Sequence, residues 1–186
     1  MKKINLKEIK NKKKLLIISG VIVVLFLLLL INWDRMHYTK VLNDFYSGNH
    51  YFEIKARVPE EIRDRYYKER YETTEEEYKE KVKVSSVFKY KILKVRNVKR
   101  YNPIYNSDPA GNMDMDTFRN NVHAAYGKYG IDSSLIEKAY WVDIKLEIWT
   151  LAGIFITESE ESIGVYQYNG KWHVFASEAI DTVQTR

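Results

Sequence analysis

Histidines are the side chains of this chain best suited to acid–base or metal chemistry near neutral pH. There are four of them, at His37, His50, His123 and His173. None has a second histidine four residues later, and none belongs to a recognisable metal-ligand motif. His123 lies off the apolar stripe of its predicted helix, and His173 lies on the more polar face of its predicted strand. We therefore expect solvated or hydrogen-bonded structural histidines and no catalytic residue among them.

The segment from residue 106 to residue 117 partly follows the spacing of a calcium-binding loop. Four residues fit positions 1, 3, 6 and 9 of the EF-hand pattern: Asn106, Asp108, Gly111 and Asp114. Position 5 is Ala110, and Thr117 stands at position 12, where a bidentate glutamate is required. The chain also has no cysteine, which excludes disulfides and thiolate metal sites. We expect a solvated turn, no bound metal and no cofactor.

Basic residues recur along one predicted strand, and three glutamates, Glu158, Glu160 and Glu161, form a predicted acidic loop between later strands. The basic residues are either a solvated face that protects a sheet edge, or a surface that binds a partner protein or an anionic wall polymer. We group the basic residues with three residues of the last predicted hairpin as one candidate interaction surface. Its residues are Lys89, Lys91, Lys94, Arg96, Tyr166, Tyr168 and His173.

The net charge of +5 is concentrated at the start of the chain. Seven lysines lie among the first 14 residues, and Glu8 is the only acidic residue in the first 32. Subtracting these from the totals of 30 and 25 leaves 23 basic and 24 acidic residues from Trp33 onward. Nucleic-acid-binding proteins carry their excess positive charge on the folded surface. We therefore expect no nucleic-acid partner.

The lysines precede an uncharged apolar run from Leu15 to Ile31, which reads LLIISGVIVVLFLLLLI. Its 17 residues are near the lower limit for a bilayer span, and Trp33 can lie at the interface. The small residues of a signal-peptide cleavage site are missing, although a cleaved signal peptide is the alternative. We predict a cytoplasmic tail over 1–14, an uncleaved single-pass transmembrane helix over 15–33 and an extracytoplasmic domain over 34–186, in the cell membrane.

Apolar stripes predict four helices in the extracytoplasmic part. The first runs over 34–47 and presents an apolar stripe that includes Tyr38 and Leu42. After an irregular stretch, Pro59 precedes a helix over 60–72. Thr74 and Glu77 match a capping box at the start of a helix over 75–82. A fourth stripe follows a loop over 101–115. Its residues are Phe118, Val122, Ala125, Tyr126 and Tyr129.

Alternating apolar residues predict strands over 83–100 and 140–149 and a C-terminal hairpin. Asn169-Gly170 is a strong signal for a two-residue turn. Such a turn pairs Tyr168 with Lys171, Gln167 with Trp172 and Val165 with Val174. Trp172 and Val174 would then face the core. Tyr166, Tyr168 and His173 would lie on the opposite face, which we expect to be at least partly solvated.

This order of elements predicts an α+β domain with helices gathered on one side of a curved antiparallel sheet. Four blocks carry a further resemblance: VPEE at 58–61, YETTEEEY at 71–78, YGID at 129–132 leading to AYWVDI at 139–144, and YNGKWHV at 168–174. They resemble the exported ectodomains of low-GC Gram-positive bacteria that have the cone-shaped, nuclear transport factor two-like or SnoaL-like fold. The resemblance implies a cone-shaped domain but no activity.

Enzymes of the family that this chain resembles usually place an Asp–His pair or a lone carboxylate inside the cone. The predicted inward positions over 140–148 and 163–174 carry aliphatic residues, Trp172 and Gln167, and no acid. We therefore predict a non-catalytic binding or scaffold domain at the membrane surface. It could belong to a secretion, conjugation or cell-envelope assembly. An immunity or regulatory protein against an exported toxin or wall enzyme, and a small-molecule enzyme using the cone pocket, remain alternatives.

Overall fold

The computed structural model describes residues 6–82, 88–100 and 114–176. The chain divides into two compact units, Met1–Met36 and His37–Arg186. The helices are α1 (Leu6–Phe45), α2 (His50–Arg57), α3 (Glu60–Tyr71), α4 (Glu75–Lys81) and α5 (Met115–Tyr126). The strands are β1 (Phe88–Arg100), β2 (Ile136–Thr150), β3 (Phe155–Tyr168) and β4 (Lys171–Phe175). The predicted α+β class is confirmed.

The first unit consists of the N-terminal part of α1. Its apolar side chains from Val21 to Leu30 are all at least 50% exposed. Among the described residues, no single helix has the length and hydropathy of a membrane span. The stretches Ile17–Leu30 and Asn32–Phe45 meet that standard only together, as a bent pair, and only by length and composition. The membrane anchor therefore stays a prediction.

The described strands form one antiparallel sheet in the order β1-β2-β3-β4. The predicted hairpin register is confirmed, since Tyr168 pairs with Lys171 and Val165 pairs with Val174. Asn169 and Gly170 both have positive φ, at 48° and 75°. Positive φ at both central positions is the requirement of a type I′ turn, whose twist matches that of the strands it joins.

Hydrophobic clusters lie on both faces of this sheet. On the first face, which we call the α1 face, Tyr38 and Leu42 of α1 pack with Val142, Val165 and Trp172. On the opposite face, the helical face, side chains of α2, α3 and α5 pack with β2 and β3. The prediction that the helices gather on one side is therefore wrong. Successive strand residues alternate between faces, and where β3 pairs with β4 both alternate sets include buried apolar or aromatic residues, Val165 and Val174 on one face and Tyr166 and Tyr168 on the other.

Among the described residues, the members of both clusters lie between Tyr38 and Ala176. None of these cluster members belongs to residues 1–36. A fragment over 34–186 keeps all of them, and it is the form of the protein that the stability experiments below require.

The predicted helix starts agree with the structure where capping residues are present. Thr74 Oγ1 accepts a hydrogen bond from the N–H of Glu77 at 3.2 Å, and the Glu77 carboxylate accepts one from the N–H of Thr74 at 3.3 Å. This is the reciprocal pair of a capping box. In α5, Asp114 caps the helix by accepting from the N–H of Thr117 at 2.6 Å. Asp114 therefore has a structural role, whereas residues 106–113 of the predicted turn lie outside the described residues.

Two elements differ from the sequence predictions. Helix α2 occupies a stretch predicted to be irregular. It begins after Asn49, whose side chain accepts a hydrogen bond from the N–H of Tyr51 at 2.9 Å. The predicted acidic loop is also wrong, because Glu158, Glu160 and Glu161 belong to β3. Charge alone suggested a loop, but carboxylates are tolerated in a strand when neighbouring strands supply cations.

The Asn169-Gly170 turn gives a prediction that isolates backbone strain. A Cβ added to Gly170 would meet no atom within 4 Å, so any cost must come from the positive φ. We expect Gly170→Val to lower the free energy of unfolding by about 1–2 kcal/mol, because β-branched residues rarely adopt this conformation. Gly170→Asn should cost less, since asparagine tolerates it. Urea unfolding of the 34–186 fragment measures both, and equal costs would contradict the turn assignment.

Candidate interaction surface

Three residues of the predicted interaction surface are buried. Tyr166 is 0% exposed, and Tyr168 and His173 are each 4% exposed. The Tyr166 ring packs 5.8 Å from Phe118 of α5, and its hydroxyl donates to the carbonyl of Arg57 at 3.2 Å. The expectation of a partly solvated face is therefore wrong at these positions, because α2, α3 and α5 cover it. Buried side chains cannot contact a partner, so these three do not belong to the surface.

The same region contains two buried arginines that the sequence analysis missed. Arg57 is 1% exposed and pairs with Glu53 at 3.3 Å. Arg63 is 7% exposed, pairs with Glu75 at 3.2 Å and donates to the carbonyl of Val58. Ion pairing and hydrogen bonding are the conditions under which a charged side chain tolerates burial. The partner of Arg63, Glu75, lies on another helix, so no local pattern shows this pair. The partner of Arg57 is four residues away on the same helix, but this spacing also occurs on solvated helix surfaces and does not predict burial.

His173 lies among charged and aromatic groups on the helical face. Its ring centroid is 5.5 Å from that of Tyr166. Burial, and to a smaller extent the positive charge of Arg63, lower the pKa of His173 from its ordinary 6.5 to about 4. Glu61 acts in the opposite direction, and Lys171 in the same direction as Arg63. His173 is therefore a neutral, buried group at physiological pH and not the solvated residue that was predicted.

The four predicted cations of β1 are exposed: Lys89, Lys91, Lys94 and Arg96. Two of them meet carboxylates on β2 across the strand pair. Lys91 Nζ lies 3.2 Å from Glu147, and an Arg96 guanidinium nitrogen lies 2.8 Å from Asp143. Hydrogen bonds from Arg96 and Ser162 lower the pKa of Asp143, so this carboxyl stays ionised. The predicted basic strand is thus partly neutralised by its neighbour in the sheet.

The pattern continues from β2 to β3, where Lys145 Nζ lies 2.5 Å from Glu158. The charged residues of the three strands, with Ser162, define what we call the charged sheet surface. Its members are Lys89, Lys91, Lys94, Arg96, Asp143, Lys145, Glu147, Glu158, Glu160 and Ser162. Five are cations and four are anions, and an open groove of about 300 Å³ runs between several of them. An anionic polymer would meet nearly as many carboxylates as cations, so this is a mixed-charge surface and not a basic patch.

The β2–β3 hairpin ends in an apolar segment that the sequence analysis also missed. We call residues 149–156 the hairpin tip. Its exposed apolar side chains are Leu151, Ile154, Phe155 and Ile156. The signal was present in the sequence, because the ten residues between Glu147 and Glu158 carry no charge and Gly153 lies among them. The predicted strand ended at residue 149, and the sequence analysis assigned no role to the residues after it.

Within the described ranges, no three or more His, Asp or Glu side chains are arranged so that they could bind a metal ion. The charged sheet surface and the hairpin tip are two exposed features of the described part of the second unit. In comparisons with protein-family models, curated proteins and solved structures, the chain matches none of them.

Proposed function

We propose that this protein is a membrane-anchored binding or scaffold domain of the cell envelope, and that it contacts a partner protein through the charged sheet surface. The observation that carries the proposal is the exposure of this surface. The cations of β1 and Glu158 lie in solvent and Lys145 is half-buried, whereas Tyr166 and Trp172 elsewhere in the sheet are under helices. A sheet region that its own helices leave uncovered is available to another molecule.

A partner protein fits this surface better than an anionic wall polymer. Alternating charges of both signs favour a partner with the complementary pattern and disfavour others through like-charge contacts. Arg96–Asp143 and Lys91–Glu147 hold their side chains in defined positions, which reduces the conformational entropy lost on binding. A polymer of uniform negative charge would be repelled by Glu147, Glu158 and Glu160.

The location is part of the proposal. The lysines of the first 14 residues and the uncharged run over 15–31 support an N-terminal anchor with its tail in the cytoplasm. The second unit would then be extracytoplasmic. The antiparallel sheet with packed helices is compatible with the cone-shaped class that the sequence blocks resemble, and we propose that class for this unit. Membership of a secretion, conjugation or envelope assembly follows as a proposal from this layout.

Topology is tested with a reporter enzyme that is active only outside the cytoplasm, fused after residue 186. We expect an active reporter and a full-length product in the membrane fraction, because the lysine cluster retains the N-terminus inside. The same reporter fused to a chain that starts at residue 34 should be inactive. A shortened, soluble product in the medium would show that the segment is a cleaved signal peptide.

The contact surface is tested in cells by placing a photo-cross-linking residue at position 94, in the charged sheet surface. We expect one discrete protein adduct, which should disappear when Arg96→Glu and Lys145→Glu reverse the local charge pattern. The matched control is the same cross-linker at Asn120, an exposed position of α5. Equal adducts from both positions, or none from position 94, would contradict the proposal.

A further inference from the structure

The hairpin tip exposes apolar side chains on both faces of the hairpin. Ile154 is 65% exposed, and the consecutive residues Phe155 and Ile156 are 48% and 44% exposed. Consecutive strand residues point to opposite faces, so within the described part of the chain neither face of the tip is covered. Leu151 adds a further apolar side chain in the turn. A flat protein partner would cover one face and leave the other in water, whereas a lipid phase surrounds both.

The backbone of the turn is hydrogen-bonded internally. The N–H of Thr150 donates to the carbonyl of Ile154 at 2.8 Å, and the N–H of Gly153 donates to the carbonyl of Thr150 at 3.0 Å. The N–H of Ile154 donates to the Thr150 hydroxyl at 3.0 Å. Unpaired backbone groups are what makes an irregular loop costly in a low-dielectric layer. These three hydrogen bonds remove part of that cost from the turn.

Aromatic and charged residues follow the tip in the order found at membrane interfaces. The Trp149 ring packs edge-on against Phe155 at 5.3 Å, and its indole N–H donates to Glu147 at 3.1 Å. Tryptophan is enriched at the boundary between hydrocarbon and water, since its body is apolar and its N–H is polar. Lys89 lies opposite Trp149 across the β1–β2 pair.

The nearest charged residues on the three strands have a positive balance. Down to the row of Lys145 they are Lys89, Lys91, Lys94, Lys145, Glu147, Glu158 and Glu160. Glu147 pairs with Lys91, and Glu158 pairs with Lys145. Four lysines against three glutamates leave one excess positive charge at the level that phospholipid headgroups would occupy. This excess favours anionic lipids, with an attraction that salt screens.

We propose that the hairpin tip enters the interfacial layer of a lipid bilayer that contains anionic phospholipid. The tip supplies uncharged side chains on both faces and a hydrogen-bonded turn, followed by an interfacial tryptophan and a positive headgroup-level layer. This inference goes beyond the proposed function, because it concerns lipid contact by the hairpin tip and requires neither the N-terminal anchor nor a partner protein.

The test uses the 34–186 fragment, which lacks the apolar run, so that any lipid binding comes from the second unit. Its cooperative unfolding in urea is verified first. Sedimentation with phosphatidylglycerol–phosphatidylcholine vesicles should show binding that weakens at high salt and with phosphatidylcholine alone. The double variant Ile154→Asp/Ile156→Asp should bind at least about tenfold more weakly, because it replaces buried apolar area with charge in the bilayer.

The matched control is Leu135→Asp, which is compared with the single variant Ile154→Asp, because each adds one negative charge. Leu135 is an apolar residue that is 47% exposed, next to the opposite end of β2. The Leu135→Asp variant should bind vesicles almost like the wild-type fragment. Equal losses in the two variants would show that added negative charge, and not the tip, causes the effect. That result would overturn the inference.

The absence of cysteine allows a direct measurement of insertion. A polarity-sensitive dye on Ala152→Cys should shift its emission to the blue with vesicles and be quenched by a lipid-bound quencher. The same dye on Asn120→Cys should remain in water. No shift at position 152, or no vesicle binding by the wild-type fragment, would overturn the inference. The inference would also be overturned if the wild-type fragment were a dimer in solution and the tip variant were a monomer, since a second copy would then cover the tip. Cross-linking at position 94 would be unaffected by any of these results.

Discussion

Trp172→Ala should lower the free energy of unfolding of the 34–186 fragment by about 3–5 kcal/mol, the range for truncating a large buried aromatic residue. Trp172 is 7% exposed on the α1 face. Its ring stacks on Tyr140 at 5.7 Å and meets Tyr38 of α1 edge-on at 5.6 Å. Truncation would leave a cavity between a helix and a sheet that cannot easily close. Urea unfolding measures the loss.

Trp141→Ala is the matched control, because it makes the same chemical change two strands away, in β2, at a side chain that is 36% exposed. We expect it to cost about 1 kcal/mol, in the range of partly exposed positions. The contact of α1 with Trp172 would be refuted if both substitutions had similar costs. His173→Ala provides a second comparison. Replacing a solvated histidine would lower the free energy of unfolding by less than about 1 kcal/mol. Because His173 is 4% exposed, we expect His173→Ala to lower it by about 1–3 kcal/mol.

Mild acid should destabilise the fragment through His173. The pKa of this residue is lowered by burial to about 4 in the folded chain and is about 6.5 when unfolded. As the pH falls below about 6.5, the unfolded chain binds the proton first, and the equilibrium shifts toward unfolding. The loss accumulates until the pH reaches about 4 and then stops. Its full size is on the order of 3 kcal/mol.

The pH profile of urea unfolding for His173→Phe isolates this contribution. Phenylalanine keeps an aromatic ring beside Tyr166 and cannot titrate, so the profile between about pH 6.5 and pH 4 should become flatter. Asn120→Ala, at an exposed position of α5 with no titrating side chain, should keep the wild-type slope. Glu60 and Glu61 have lowered pKa values and add their own losses at lower pH. A wild-type slope in His173→Phe would show that His173 is not the responsible group.

Several elements were predictable because their causes are local. The Asn169-Gly170 turn has positive φ at both residues, and only such residue types allow it without strain. The turn fixes the β3–β4 register, and this register fixes which residues share a face. Thr74 and Glu77 bond within four residues of each other, so a sequence window contains the whole capping box. The apolar stripe of α5 likewise follows from helical periodicity alone.

The charged sheet surface was only half predictable. The cations of β1 are visible as an alternating series, and their exposure agrees with that pattern. Their partners are not visible, because Lys91 meets Glu147 and Arg96 meets Asp143 across 56 and 47 residues of chain. Only the β1–β2 register brings each pair together. The sequence therefore suggested a basic strand, whereas the folded sheet has a nearly balanced surface.

The sequence by itself determined the α+β class, the positions of α3, α4 and α5, and the alternation that places Trp172 and His173 on opposite faces. Only the tertiary structure decided which of those faces meets water. Alternation sorts residues into two sets, but exposure depends on what covers each set. Here α1 covers one and α2, α3 and α5 cover the other. The residues of a strand do not determine which helices from distant parts of the chain pack over it.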